Sequence, residues 1–153
     1  MRKLVALFLA AGAALLAYRW YVDRAAYDAY ERFADTWARE NRLEAAKYGD
    51  AETVRHAFDA RALRGTRGGA AMEAFRGTRY AVESRRRSPG GDLELVVVQS
   101  IFFDPPGVTT GIGGAMVAHF RHAATVRRAA DGWRVVAFEP TFLDMAETRR
   151  RRP

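Results

Sequence analysis

The sequence predicts an α+β protein: a single N-terminal transmembrane helix, then helices packed on a curved, mainly antiparallel four-stranded sheet. Three observations carry this. Leu4–Ala17 holds no charged residue and is preceded by Arg2 and Lys3. Between residues 26 and 63 the apolar side chains recur every three or four positions, the period of a helix with one buried stripe. Beyond Gly77 that spacing falls to two, the period of strands, and turn-forming residues punctuate it.

The opening segment has two main readings. Counted from Leu4 to Val22 the run is interrupted only by Arg19, and about 20 helical residues cross a bilayer's hydrocarbon layer. Arg19 near its end can snorkel, and Tyr18, Trp20 and Tyr21 are aromatics of the kind that sit at the lipid–water boundary. An uncleaved anchor over residues 1–22 is favoured. A cleaved export signal would use Ala11-Gly12-Ala13 but leaves a very short apolar stretch. A soluble buried helix is the third possibility. A basic start before an apolar run resembles export signals, so the body is expected outside the cytoplasm, tethered to the inner (cytoplasmic) membrane by a single pass.

The body is expected over residues 23–145. Ala26, Tyr30, Phe33 and Trp37 follow steps of four, three and four, while Asp28, Glu31, Arg32, Asp35, Arg39 and Glu40 take other positions. This predicts an amphipathic helix of about 25 residues, ended by Tyr48-Gly49-Asp50. Asp50 is a fitting N-cap for a second helix over Ala51–Leu63, with Val54, Phe58 and Ala62 on one face. The stretch 64–70 reads as a loop and Met72–Phe75 as a helical turn. Thr78, Tyr80 and Val82 then alternate with charged or small residues as a half-buried strand, and Ser88–Asp92 forms a turn. Residues 93–103 (LELVVVQSIFF) read as a central strand, apolar on both faces from Val96 to Val98. Residues 104–114 are turn and irregular chain. A long strand over 115–128 meets a last one over 133–143 across an expected Asp131-Gly132 type I′ turn. Pro140 suits a sheet edge or a bulge. Residues 146–153 form a basic polar tail.

Composition closes several routes. The chain has 153 residues, one domain's worth, and no cysteine, so disulfides, thiolate metal sites and a cysteine nucleophile are out. Its net charge is +7, which alone would suggest nucleic acid. Yet Arg2, Lys3, Arg19 and Arg24 against Asp23 supply three of those charges and Arg149, Arg150, Arg151 and Arg152 the other four. Residues 25–148 are neutral, so no nucleic-acid partner is expected. The three histidines lack metal-ligand spacing, and the glycines at 111, 113 and 114 lack the Lys and Ser/Thr of a phosphate loop. No metal and no cofactor is expected.

The order of elements and the closing hairpin RRAADGWRVVAFEPTF (Arg127–Phe142) resemble the nuclear transport factor 2-like superfamily, the cone-shaped α+β fold shared with SnoaL-like proteins. The resemblance covers roughly residues 25–145. It implies a helical cover over a curved sheet and leaves function divided. Members include isomerases, dehydratases and cyclases acting on apolar substrates. Others are non-catalytic binding or assembly domains, some of them single-span inner-membrane parts of bacterial secretion machines.

An enzyme of this type needs polar groups converging inside the cone. His119 and His122, three apart on one strand, fall on opposite faces. The expected turn sets His122 opposite Thr141 and Ala124 opposite Glu139, making His122 and Glu139 diagonal neighbours on one face. They are the acid/base candidates, with Tyr80 as a hydrogen-bond donor. An exposed ion pair on the outer face is the plainer reading. Trp37, Phe58, Phe103, Phe120 and Trp133 are the aromatics available to a pocket or docking surface. Arg85, Arg86 and Arg87, with the four-arginine tail, form the basic surface. The leading expectation is a non-catalytic, membrane-tethered envelope module, as a homo-oligomer or in an envelope protein complex. An enzyme on a small apolar substrate or a secreted ligand carrier is the alternative.

Overall fold

A computed structural model describes residues 2–59, 75–104 and 116–147, with side chains from residue 21 on in the first stretch. It is α+β: three helices, then a four-stranded antiparallel sheet in the order β1-β2-β3-β4. The helices are α1 (Arg2–Ala38), α2 (Arg42–Ala45) and α3 (Ala51–Asp59). The strands are β1 (Phe75–Arg87), β2 (Leu93–Phe103), β3 (Met116–Ala129) and β4 (Gly132–Glu147).

Helix α1 is continuous for 37 residues, about 55 Å at 1.5 Å per residue. The apolar run therefore leads into the stripe Ala26, Tyr30, Phe33 and Trp37 without a break, and all four are buried. Among the described residues no helix is long and apolar enough to cross a membrane; the side chains of the expected anchor before residue 21 lie outside them.

The helix stops earlier than its sequence suggests, at Ala38 rather than at Tyr48. Asn41 N–H donates to the Thr36 carbonyl at 2.9 Å and Glu40 N–H to that of Trp37 at 3.0 Å. These bonds form a Schellman cap, with Glu40 in the left-handed position at φ 54°. Glycine normally marks such a stop, and its absence hid this one. Asn41 then caps α2, accepting from Glu44 N–H. Asp50 caps α3 as expected, accepting from Thr53 N–H at 2.7 Å. Gly49 lies under the Phe33 ring, and a short parallel bridge from Gly49 to Val135 ties this corner to β4.

Strands β2 and β3 pair without interruption. Both edge strands carry bulges: Arg76 and Glu83 in β1, Val136 and Leu143 in β4, each an extra residue against its neighbour. Extra residues on the outer strands bend a sheet and increase its twist. The inner face, Leu93, Leu95, Val97, Gln99 and Ile101 of β2 with Phe120, His122, Ala124 and Val126 of β3, packs against α1.

Several expectations need correction. The last turn is Ala130–Asp131, with Ala129 paired to Gly132. Asp131 keeps a negative φ, and Gly132 supplies the positive one (136°) just after the turn. Phe75 begins β1 rather than ending a helical turn, and Arg85–Arg87 belong to that strand. Val82 is 48% exposed on this edge. Strand β4 runs to Glu147, past the expected end of the domain. The readings of residues 60–74 and 105–115, and of Arg149–Arg152, lie outside the described residues.

Candidate functional site

Polar side chains meet in the interior between α1 and the inner faces of β1, β2 and β3. His122 has no solvent exposure. Its Nδ1 lies 2.9 Å from the Tyr30 hydroxyl. Its ring packs against Phe138 and Trp37, with centroids at 4.6 and 5.2 Å. Burial pushes the imidazole down to about 3, so the ring is neutral. Trp37 meets Phe120 and Phe138 edge-on and donates its indole N–H to the Ala57 carbonyl at 3.1 Å.

Next to this lies a second chain of bonds. Gln99, also without exposure, donates from Nε2 to the Tyr80 hydroxyl (3.0 Å) and the Ala34 carbonyl (3.3 Å). The Tyr80 hydroxyl donates in turn to Asp35 Oδ1 at 2.6 Å, and Thr78 donates to the same oxygen at 2.6 Å. Burial, aided by the Asp35 carboxylate, raises the Tyr80 phenol far above its ordinary range. Tyr30 is raised likewise, mainly by burial, so both remain protonated donors. Two buried atoms, Gln99 Oε1 and His122 Nε2, have no partner among the described residues.

The structure divides the acid/base candidates. His122 and Tyr80 both flank Tyr30, at centroid distances of 6.2 and 6.1 Å. Glu139 is not with them. The extra residue at Val136 sets His122 opposite Pro140 and Ala123 opposite Glu139. Since faces alternate, this puts Glu139 on the outer face, where it is exposed and lines a shallow cleft of about 360 Å³ with Glu94 and Arg86. His119 does point away from His122, bonding Ser100 Oγ at 2.9 Å.

The other named residues separate by depth. Trp37, Phe103 and Phe120 are buried in the core, and Phe58 packs at its margin. Trp133 is half-buried and borders two surface clefts of about 340 and 550 Å³. Arg85 and Arg87 reach Asp23 on α1 at 3.1 and 2.9 Å, and Arg86 pairs with Glu94. Among the described residues no cluster of three or more His, Asp or Glu side chains could hold a metal.

Sequence reasoning missed Gln99 and Asp35. Gln99 was within reach: it shares the parity of Leu95, Val97 and Ile101, so it had to point inward. Asp35 sat among charges assigned to the solvent face, and only the arrival of β1 brings Thr78 and Tyr80 to it. Comparisons with known proteins add nothing to this geometry: no family model, curated protein or solved structure matches the chain.

Proposed function

We propose that this chain is a non-catalytic binding or assembly module of the cell envelope: a nuclear transport factor 2-like domain held at the inner membrane by a single N-terminal pass, with its body outside the cytoplasm. The observation that carries this is the filled interior. Tyr30, Phe33, Trp37, Phe120 and Phe138 occupy the space beneath the helix at 2% exposure or less. The one buried histidine is neutral and walled by rings, and the carboxylate that would have tuned it is on the far face. An enzyme needs titratable groups meeting in an open cavity.

The partner best supported is a second copy of the chain, bound along β4. Beyond Val135, whose outer edge is taken by the bridge to Gly49, that strand pairs with another strand on one side only among the described residues, and its end exposes Phe142, Leu143 and Met145. Open edges with apolar side chains pair readily. The test is the mass of the full-length chain in detergent, by light scattering after size exclusion. A dimer or larger assembly that Leu143→Glu with Met145→Glu reduces to monomer is the expected result. A wild-type chain monomeric at every concentration tested refutes self-association.

The enzyme reading keeps one observation in its favour: His122 Nε2 and Gln99 Oε1 have no partner among the described residues of the same interior. Binding of small apolar ligands that shifts the His122 ring resonances would support it over the assembly reading.

A further inference from the structure

The 550 Å³ cleft lies where α1 meets the tips of both hairpins. Val22 forms one wall, the β1–β2 turn a second, and the end of the β3–β4 hairpin a third. Three guanidinium groups line it, Arg87, Arg127 and Arg128, against one carboxylate, Asp92. Arg127 grips Asp92 through Nε and Nη2 at 3.0 and 2.7 Å. Arg87 is held by Asp23 and lies 5.8 Å from the Trp133 ring centroid. Arg128 is exposed and enters no ion pair among the described residues. The cleft therefore keeps a positive excess, a flat indole and one guanidinium with its donors uncommitted. Guanidinium donors match phosphate oxygens in a two-pronged geometry.

Its height along α1 says which phosphate. The run counted as the anchor, Leu4 to Val22, ends at the residue that lines this cleft, so the cleft opens where the helix would leave the hydrocarbon. A bilayer's polar layer is about 5–7 Å deep on each side of its hydrocarbon. Tryptophan and arginine are the residues that settle at that depth. We infer that this cleft binds the phosphate of an anionic phospholipid headgroup, with Arg128 as its donor and Trp133 as the wall against the lipid. The inference rests on the membrane-anchor reading, and it assigns the hairpin tips a job the anchor does not require: fixing the domain's tilt against the bilayer.

The experiment uses the full-length chain in lipid nanodiscs of phosphatidylcholine alone or with phosphatidylglycerol. Amide hydrogen exchange is followed over 85–92 and 126–134. Phosphatidylglycerol is expected to slow exchange in both segments several-fold. Arg128→Glu is expected to abolish the slowing while leaving exchange in β2 unchanged, and Arg128→Lys to retain part of it. Equal exchange in both lipids overturns the inference. So does equal slowing when inorganic phosphate is added to the chain in detergent, which would make the cleft a free-phosphate site. A chain that fails to float with lipid vesicles overturns the anchor and this inference together. A chain that floats with unprotected hairpins overturns this inference alone.

Discussion

His122 is the residue at which burial and charge conflict most. Its imidazole is held down to about 3 by desolvation, against 6.5 for an exposed histidine. The folded state thus prefers the neutral ring, and the unfolded chain binds a proton the fold refuses. Its contribution to stability is complete above pH 6.5 and is lost progressively as pH falls toward 3, by up to about 1.4 kcal/mol per pH unit. Urea midpoints of the full-length chain at pH 7 and pH 4.5 should show a marked drop. His122→Phe combined with Tyr30→Phe should flatten that drop, because it removes the titrating ring and its hydroxyl partner together and orphans neither. A drop of equal size in the double variant would assign the acid sensitivity to other groups. Gln99 shows how far alternation alone can locate an interior polar residue. Asp35 shows where it fails, because its role exists only once Thr78 and Tyr80 lie beside it.

At the scale of elements, the corner that ends α1 and the corner that ties the helices to β4 each make a prediction. Glu40 takes a left-handed backbone without being glycine, at a cost of about 1–2 kcal/mol. It is exposed, so nothing packs on its side chain. Glu40→Gly should raise stability by about 0.5–1 kcal/mol, read as a higher melting temperature. Gly49→Ala should do the reverse. A Cβ there collides with the buried Phe33 ring and comes within 3.2 Å of Val54. Since the ring has no exposed side to retreat to, a loss of about 1–3 kcal/mol is expected. The elements themselves were readable because their hydrophobic periods are clean; β2 falls within its expected ends. What escaped was phase. Nothing about Val136 marks it as an extra residue, yet it inverts the parity of everything after it until Leu143. Glu139 was therefore assigned to the wrong face by a counting rule that is sound for any uninterrupted hairpin.

For the whole molecule, the sequence carried the class and the order of elements because both follow from composition and period. It did not carry the filling of the interior, which depends on rings from α1, β3 and β4 reaching one place. The unbroken α1 also has a mechanical consequence. A helix without a hinge is an axle, and whatever is fixed to one end turns with the other. One residue inserted after Ala17, upstream of every described tertiary contact, would rotate the body about 100° and advance it about 1.5 Å. Seven would bring it back to within about 20° of its original bearing. Cysteine cross-linking between copies of the chain should therefore fall with one inserted residue and recover with seven. A yield indifferent to both would mean that the two ends of the axle turn independently.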